Sequence, residues 1–313
     1  MRILSADEVA AALPWPALVD RLGQTFRDGV ESPPRHHHAM HRPDGEATML
    51  LMPAWERAGY IGVKMVNVFP QNADHGLPAI SGVYLLSEGA HGRPLACLDG
   101  SELTRRRTAA ASALAARELA RQDAESLLVV GTGKLAPMVI EAHAAVRPIR
   151  QVRIWGRNPE KASRLAAEYA DRFDCEAVED LAVAAREADV ISCVTLSSEP
   201  LIRGEWLKPG AHLDLIGAFR PTMRECDAEC LRRGEVFVDT YAGARGEAGD
   251  ILQAVDEGAF SFDEIGAELA ELMRGERSGR SSDKAITVFK SVGASLEDLA
   301  AAIEVWEQWE KRG

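Results

Sequence analysis

A glycine-rich turn in the middle of the chain has the residue types and spacing of a dinucleotide-binding loop. Residues 131–136 read G-x-G-x-x-A, between a predicted strand over Ser126–Val130 and a predicted helix over residues 134–146. The first glycine permits a tight turn, the second lets the backbone approach a pyrophosphate, and the last small residue lets the helix pack closely. The helix N-terminus adds N–H donors for phosphate oxygens. A plain tight turn is the alternative. We predict cofactor contacts from Gly131, Thr132, Gly133, Lys134, Leu135 and Ala136.

A cation occupies the position where NAD-preferring enzymes place an acid. The next predicted strand, Gln151–Trp155, runs into Gly156 and Arg157. An Asp or Glu here would accept from the ribose hydroxyls of NAD, whereas a guanidinium favours the 2′-phosphate of NADP. A solvated surface arginine is the alternative. We predict NADPH as the preferred cofactor and NADH as a weaker candidate. The further predicted contacts are Arg157, Asn158, Lys161 and, at the ends of the next two strands, Thr195 and Gly217.

Three cations outside this segment are candidate anion-binding residues. Arg35 follows two prolines, Lys64 lies between apolar neighbours in a predicted strand, and Arg107 ends a run of three arginines near a predicted helix start. The helix dipole disfavours cations at that end, which indicates an anion nearby. Two plainer alternatives are that Lys64 extends to solvent along its apolar stem and that the arginines form a surface ion-pair network.

A cluster of histidines near the N-terminus raises the question of a metal ion. The cluster consists of His36, His37, His38 and His41. No carboxylate or thiol completes a recognisable ligand pattern, so we predict no metal site. One of these histidines remains a candidate proton relay. Asp214 and Asp239, near predicted strand ends, could be catalytic or could bind the backbone.

The first hundred residues predict a helix followed by closely spaced strands. A helix is expected over residues 15–26, strands over 47–53, 60–68, 82–86 and 94–98, and an alanine-rich helix over 104–121. Strands in close succession indicate an antiparallel or mixed sheet. A capping box is predicted at Ser5–Glu8.

The rest of the chain alternates between strands and helices. Strands are expected over residues 126–130, 151–155, 189–195, 212–218 and 236–239, with helices over 134–146 and 159–173. This alternation predicts α/β structure, a doubly wound parallel sheet of the Rossmann type, beside a smaller α+β domain. A last helix over residues 295–311, with a second capping box at residues 295–298 and no strand of its own, is expected to return to the N-terminal domain.

Composition bounds the class of protein. The 313 residues include 36 Lys and Arg against 48 Asp and Glu, a net charge of −12, which disfavours nucleic acid as a partner. Apolar residues make up 46% and charged residues 27%, as in ordinary soluble proteins. No apolar run is long enough to predict a membrane span, and the early acids argue against a secretory signal. Five scattered cysteines, including Cys226 and Cys230, indicate reduced thiols and a cytoplasmic location.

Several stretches together resemble the ornithine cyclodeaminase/mu-crystallin family. They are Leu-Thr-Arg-Arg-Arg-Thr-Ala-Ala at residues 103–110, Val-Arg-Ile-Trp-Gly-Arg at 152–157, Lys-Pro-Gly-Ala-His at 208–212 and Thr-Val-Phe-Lys-Ser-Val-Gly at 287–293. The resemblance covers essentially the whole chain. It implies a Rossmann domain over residues 108–289, a substrate and dimerisation domain over 1–107 and 290–313, and a homodimer.

The resemblance also implies roles for individual residues. Arg35 and Arg107 match the arginines that bind the substrate carboxylate, and Lys64 matches the active-site lysine, a candidate proton donor. Thr108 falls among the cofactor contacts. Val292 and Gly293 match the segment that closes over a small-molecule substrate.

One departure from the family pattern narrows the expected reaction. Members that release ammonia keep a catalytic aspartate after the strand, where Phe219 stands here. Oxidising an amine and releasing ammonia requires activated water and a proton shuttle, which a carboxylate supplies. A preformed cyclic imine needs a hydride, a proton and a carboxylate clamp, and Phe219 can line the substrate pocket.

This run, Gly-Ala-Phe-Arg-Pro at residues 217–221, and Pro-Arg-His-His-His at 34–38 resemble the pyrroline-2-carboxylate reductase branch. The resemblance implies NADPH-dependent reduction of the ketimine Δ1-pyrroline-2-carboxylate, or also Δ1-piperideine-2-carboxylate, to L-proline or L-pipecolate. The alternatives are an ornithine or lysine cyclodeaminase or amino-acid dehydrogenase, and a non-catalytic NADPH-dependent ligand-binding protein of the mu-crystallin type.

Overall fold

The computed structural model describes residues 1–43 and 45–311. The chain forms two compact units, the first built from Met1–Thr108 and Ala294–Gly313, the second from Ala109–Gly293. The unit boundaries therefore follow residues 108 and 293, where the sequence prediction placed them after residues 107 and 289. Within the described ranges, none of the helices is both long and apolar enough to cross a membrane.

The elements alternate along the chain as follows. The strands are β1 (Arg2–Leu4), β2 (His36–Arg42), β3 (Gly45–Trp55), β4 (Tyr60–Val68), β5 (Ile80–Glu88), β6 (Pro94–Asp99), β7 (Ser126–Val130), β8 (Gln151–Trp155), β9 (Asp174–Ala177), β10 (Val190–Cys193), β11 (His212–Leu215), β12 (Glu235–Val238), β13 (Ile265–Glu268) and β14 (Thr287–Lys290). The helices are α1 (Ala6–Ala12), α2 (Trp15–Asp28), α3 (Gly100–Leu119), α4 (Ala136–Ala144), α5 (Pro159–Tyr169), α6 (Leu181–Glu187), α7 (Ala228–Arg233), α8 (Tyr241–Glu247), α9 (Gly249–Asp256), α10 (Leu269–Arg274) and α11 (Ser295–Glu310).

The first unit is a six-stranded sheet of order β1-β6-β5-β4-β3-β2, antiparallel except for the β1–β6 pair. This agrees with the prediction of an antiparallel or mixed sheet. Since side chains alternate along a strand, Met52, Lys64 and Tyr84 share one face in register. Helix α11 lies against β3, β4 and β5 and packs on α2, so this face is buried.

The two predicted capping boxes have different outcomes. The box at Ser5 and Glu8 is confirmed, since each side chain bonds to the backbone N–H of the other residue. The box at residues 295–298 is wrong, because Ala294 caps α11 without a side-chain hydrogen bond and Ser295 is already helical. Glu297 is instead engaged by an arginine distant in sequence.

The second unit is an eight-stranded parallel sheet of order β13-β12-β14-β11-β10-β7-β8-β9. The predicted doubly wound α/β fold is confirmed. The chain order reverses between β7 and β10, and ligands of such sheets bind at the carboxyl ends of the strands beside that point. The expectation that no strand precedes the last helix is wrong, because β14 lies inside the sheet between β11 and β12.

Candidate active site

The glycine loop has the backbone geometry that a pyrophosphate requires. Gly131 has φ +125°, and a Cβ there would lie 3.0 Å from Val194 Cγ2, so a side chain at this position would be strained. A Cβ on Gly133 would meet no atom within 4 Å, which leaves open space above the loop. Helix α4 begins after Leu135 without a side-chain cap. The loop therefore combines room for a phosphate with N–H groups at a helix start, and the residues present fit a dinucleotide.

The β8 loop lies directly against this turn. A Cβ on Gly156 would be 2.6 Å from Thr132 Cγ2. Arg157 and Lys161 are both exposed at the start of α5. The Asn158 side-chain oxygen accepts the Lys161 backbone N–H at 3.0 Å and caps α5, a structural role that the sequence prediction did not assign to it.

The predicted contacts on the next two strands meet each other. Thr195 and Gly217 lie two residues beyond the ends of β10 and β11. A Cβ on Gly217 would be 2.0 Å from the Thr195 carbonyl oxygen. A third residue, Glu225, bonds to both. It was missed because a glutamate in a loop between short elements has no distinguishing sequence signal.

In the first unit, two predicted cations meet two acids that were not predicted as site residues. Lys64 Nζ lies 2.6 Å from Asp298 Oδ2. Arg107 donates from Nε to Asp298 Oδ1 at 2.9 Å and from Nη1 to Glu297 Oε2 at 2.6 Å. Lys64 is 3% exposed and Arg107 5%, and both acids are fully buried. Lys64 therefore does not extend to solvent.

Burial and mutual charge set the protonation of this cluster. Burial lowers the pKa of Lys64 to about 8, although Asp298 acts in the opposite direction. Burial would also lower the pKa of Arg107, but Asp298 and Glu297 outweigh it and raise the pKa. Burial opposes ionisation of Asp298, yet Arg107 and Lys64 hold its pKa below the ordinary value. The cluster is thus ionised at neutral pH, with Lys64 closest to losing its proton.

Three further residues contribute to the environment of Lys64. Thr104 accepts a hydrogen bond from Lys64 Nζ at 3.4 Å and donates to the Gly100 carbonyl at 2.7 Å. Tyr84, opposite Lys64 on β5, is fully buried, and burial raises the pKa of its hydroxyl. The half-buried Arg35 lies near enough for its charge to contribute to the lowered pKa of Lys64. The structure thus joins Lys64 and Arg107 through Asp298, and Arg35 acts on Lys64 through its charge.

The other arginines of the run are accounted for within the fold. Arg105 and Arg106 both bond to Glu102, at 2.5 and 2.8 Å. The ion-pair alternative therefore applies to these two. Thr108, the next residue after Arg107, is half-buried on α3, and its cofactor contact stays a prediction.

Asp239 sets the backbone of the segment predicted to close over the substrate. Its Oδ2 accepts from the Ser291 hydroxyl at 3.0 Å and from the Val292 and Gly293 N–H groups, each at 2.7 Å. Gly293 has φ +81°. Asp239 is buried, so of the two roles left open by the sequence, the structure assigns it the backbone-binding one.

Phe219 and Asp214 differ in their surroundings. Phe219 is half-buried after β11, its N–H bonds to the Gly217 carbonyl at 2.8 Å, and the Arg220 guanidinium lies 5.9 Å from its ring centroid. Asp214 is fully buried and accepts from Ser112 and Ser192 at 2.9 and 2.6 Å. Asp214 therefore belongs to the core of the second unit.

Metal-binding side chains and a cavity of the second unit are two other candidate ligand sites. Among residues 1–43 and 45–311, no three His, Cys, Asp or Glu side chains are grouped so that they could hold a metal ion. A cavity of about 760 Å³ in the second unit includes Arg147 and Arg280. These two arginines donate to the Ala120 and Leu119 carbonyls at the end of α3. Both guanidinium groups are thus tied to the backbone at the end of α3.

Comparison with known proteins places the chain among nicotinamide-dependent enzymes. The model of the ornithine cyclodeaminase/mu-crystallin family matches residues 3–313. A Δ1-pyrroline-2-carboxylate reductase from Colwellia psychrerythraea is 36% identical over 98% of this chain and 99% of its own. The structure of a Thermococcus litoralis Δ1-pyrroline-2-carboxylate reductase with NADH and L-proline has a TM-score of 0.93 at 30% identity, covering 100% of this chain and 98% of that one.

A second solved structure shows the breadth of chemistry on this fold. An archaeal alanine dehydrogenase dimer with bound NAD has a TM-score of 0.91 at 30% identity, covering 100% of this chain and 97% of that one. Because the family model spans nearly every residue, and a relative at 36% identity spans the full length, the chain belongs to the ornithine cyclodeaminase/mu-crystallin family.

Proposed function

We propose that the protein is an NADPH-dependent ketimine reductase that converts Δ1-pyrroline-2-carboxylate to L-proline. The observation that carries this proposal is the buried Lys64 ammonium, ion-paired to Asp298 and close to two arginines. A carboxylate substrate and an imine nitrogen that must gain a proton both require such a group. The related reductases and the neighbouring structure with L-proline support the substrate class.

The cluster brings cations to a site for a carboxylate substrate. Arg35, Lys64 and Arg107 carry positive charges, and Glu297 and Asp298 pair with Lys64 and Arg107. Glu297 and Asp298 fix the Arg107 side chain before substrate arrives, so little is reorganised on binding. Arg35 and Arg107 hold the carboxylate in this mechanism.

Lys64 supplies the proton. Its pKa of about 8 leaves it mainly protonated at neutral pH yet close to transferring its proton, as an effective general acid requires. Protonation of the ring nitrogen gives an iminium, which accepts a hydride much more readily than the neutral imine. Asp298 stabilises the ammonium form beforehand. The bound nicotinamide supplies the hydride to the ring carbon.

The cofactor preference rests on Arg157. This guanidinium is exposed at the β8–α5 turn, where an acid would select NAD. A 2′-phosphate there gains a charge-assisted contact, and Lys161 adds a second cation. The neighbouring structures contain NADH or NAD, so a nicotinamide dinucleotide is the shared feature and NADPH is the specific proposal for this chain.

We also propose that a second copy of the chain is the protein partner. The sheet face opposite Lys64 carries Leu51, Met65 and Val83 in one cross-strand row and Pro53, Val63, Leu85 and Cys97 in the next. Ile61 and Leu85 on this face are 41% and 40% exposed. A contiguous apolar face of this kind is typical of a homodimer interface. The archaeal relative is a dimer.

The proposed reaction is tested by NADPH oxidation with a panel of substrates. Δ1-Pyrroline-2-carboxylate, Δ1-piperideine-2-carboxylate and 2-oxo acids with ammonia would be compared, with L-proline identified as the product. Ammonia release from ornithine without net cofactor consumption would indicate a cyclodeaminase instead. Tight NADPH binding with no turnover of any imine or amino acid would indicate a binding protein. Either result would overturn the proposal.

A further inference from the structure

One buried acid joins the two loops at the carboxyl ends of β10 and β11. Glu225 Oε1 accepts hydrogen bonds from the Thr195 N–H at 2.7 Å and the Thr195 hydroxyl at 2.8 Å. Its Oε2 accepts the Gly217 N–H at 2.6 Å. The side chain is fully buried. The two strands are adjacent and parallel, so Glu225 links neighbouring loops at the edge where doubly wound sheets bind ligands.

The two loops pack closely at this junction. A Cβ on Gly217 would lie 2.0 Å from the Thr195 carbonyl oxygen and 2.3 Å from Glu225 Oε1. The Phe219 N–H bonds to the Gly217 carbonyl, so the predicted substrate-lining residue depends on the same loop. Both backbone donors point at the carboxylate and can act only as donors. Glu225 must therefore accept to keep the loops together.

The surroundings of Glu225 contain a second buried acid and a buried lysine. Asp250 on α9 accepts the Glu225 N–H at 2.7 Å, and its other oxygen lies 3.0 Å from Lys290 Nζ on β14. All three side chains are buried. The adjacent Arg224 guanidinium pairs with Glu257, and the thiols of Cys193, Cys226 and Cys230 lie nearby, each with its pKa raised above the ordinary value.

This environment shifts the pKa of Glu225 into the physiological range. Burial, opposed by Lys290 and reinforced by Asp250, raises the pKa of Glu225 to about 7. A carboxyl oxygen that carries a proton accepts more weakly than a carboxylate oxygen, because charge-assisted hydrogen bonds are roughly twice as strong as neutral ones. Protonation therefore weakens the link between the two loops.

We propose that Glu225 is a positioning residue for the nicotinamide cofactor: its ionised carboxylate holds Thr195 and Gly217 in the binding conformation, and its protonation weakens cofactor binding. The inference rests on the proposed function in one respect, that a nicotinamide dinucleotide binds at these loops. The sequence assigned Thr195 and Gly217 to the cofactor, and the geometry extends that assignment to the acid behind them.

The test is cofactor affinity as a function of pH. Dissociation constants of NADP⁺ and NAD⁺ would be measured by calorimetry from about pH 5.5 to about pH 9 for wild type, Glu225→Gln and Glu257→Gln. NAD⁺ is included because it lacks the 2′-phosphate of NADP⁺, which titrates at about pH 6 and would add a pH dependence of its own. Glu257 is an exposed acid paired with Arg224, and it serves as the matched control.

The variants should differ in how their cofactor affinity depends on pH. Wild type and Glu257→Gln should lose affinity for both cofactors by up to about tenfold per pH unit as the pH falls below about 7. Glu225→Gln should bind both cofactors about tenfold more weakly at high pH, and its affinity for NAD⁺ should show no such slope. A wild-type slope in Glu225→Gln, or a flat wild-type profile, would overturn the proposal.

A second variant keeps the test decisive if Glu225→Gln does not fold. Asp250→Asn retains the oxygen that accepts the Glu225 N–H but removes the negative charge that raises the pKa of Glu225. The midpoint of the affinity profile should then move to lower pH, and an unmoved midpoint would contradict the proposal. Cofactor binding without reduction of any imine would count against the proposed reaction alone, because affinity is read without the imine.

Discussion

The Asp298 carboxylate lies 2.6 Å from the Lys64 ammonium, and both side chains are almost completely buried. The same carboxylate bonds to Arg107 at 2.9 Å. One acid on α11 thus pairs with two cations, one from β4 and one from α3. It links three elements of the first unit and orders the proposed carboxylate site.

Asp298→Asn should destabilise the protein strongly. The substitution leaves Lys64 and Arg107 with less counter-charge in a buried setting, and breaking a buried pair in this way costs about 3–5 kcal/mol. Urea unfolding at neutral pH measures the loss. The pKa of Asp298 is lower in the folded protein than in the unfolded chain. The ionised carboxylate therefore contributes its full stabilisation at any pH above the unfolded-chain pKa of about 4. The difference in free energy of unfolding between wild type and variant should narrow as the pH falls through the lower pKa of the folded protein.

Glu310→Gln provides the control for this prediction. Glu310 is an exposed acid at the end of the same helix, so its neutralisation should leave the unfolding midpoint unchanged. Equal stability of Asp298→Asn and wild type would show that the ion pair does not hold the first unit together.

Lys64→Met should remove most of the imine-reducing activity. The proton donor and one carboxylate ligand are both lost, and general acids contribute about 10²- to 10⁴-fold to rate. For wild type, kcat/KM should fall as the pH rises above about 8, because Lys64 loses its proton there. Initial rates of NADPH oxidation across pH measure both effects. Lys284→Met, at an exposed lysine of the second unit, should behave as wild type, and an unaltered Lys64→Met would reject the assigned role.

Sequence reasoning identified the cations of this cluster but not their partners. The strand Tyr60–Val68 was predicted with its observed bounds, because apolar residues and flanking turn residues delimit it. Glu297 and Asp298 were interpreted as part of a helix cap, since acids in a first helical turn usually are. Their actual partner, Arg107, is 190 and 191 residues away. Pairing over such a separation depends on the tertiary fold and leaves no local pattern.

In the second unit, too, local backbone features could be predicted from the sequence and tertiary contacts could not. The G-x-G-x-x-A turn could be assigned because its glycine spacing reflects local backbone geometry, which Gly131 bears out with φ +125°. Strand β14 was missed because it has four residues and ends in a lysine, although Lys290 is buried against Asp250. Glu225 was missed for a related reason, because the residues that it bonds to, Thr195 and Gly217, are 30 and 8 positions away in the sequence. Short central strands and buried acids therefore require the structure.

Two alanine substitutions in the glycine loop should have different effects. Gly131→Ala forces a side chain onto a positive φ and within 3.0 Å of Val194, so thermal stability should fall, by about 1–2 kcal/mol or more. Gly133→Ala projects into open space, so stability should be retained while NADPH affinity drops about tenfold or more through the lost close approach. Calorimetry of unfolding and of cofactor binding separates the two. Unchanged affinity in Gly133→Ala would place the pyrophosphate elsewhere.

Arg157→Ala should discriminate between the two nicotinamide cofactors. Loss of an exposed cation facing the 2′-phosphate should raise KM for NADPH about tenfold, a modest change because solvent screens the charge. The KM for NADH should stay the same. Arg164→Ala, at an exposed arginine of the same helix, is the control and should change neither value. Identical cofactor kinetics in Arg157→Ala and wild type would remove the basis for an NADPH preference.

Leu85→Glu should convert a homodimer to a monomer. Leu85 is 40% exposed within the apolar face of the first sheet, in register with Val63 and Cys97, and a buried unpaired carboxylate would disrupt association between two such faces. Sedimentation velocity measures the mass of each species. Val183→Glu is the matched control, because Val183 is an apolar residue of α6 that is 47% exposed. It should leave the dimer intact, since a single exposed apolar side chain does not indicate an interface. A dimer that persists in Leu85→Glu would require association through a different surface.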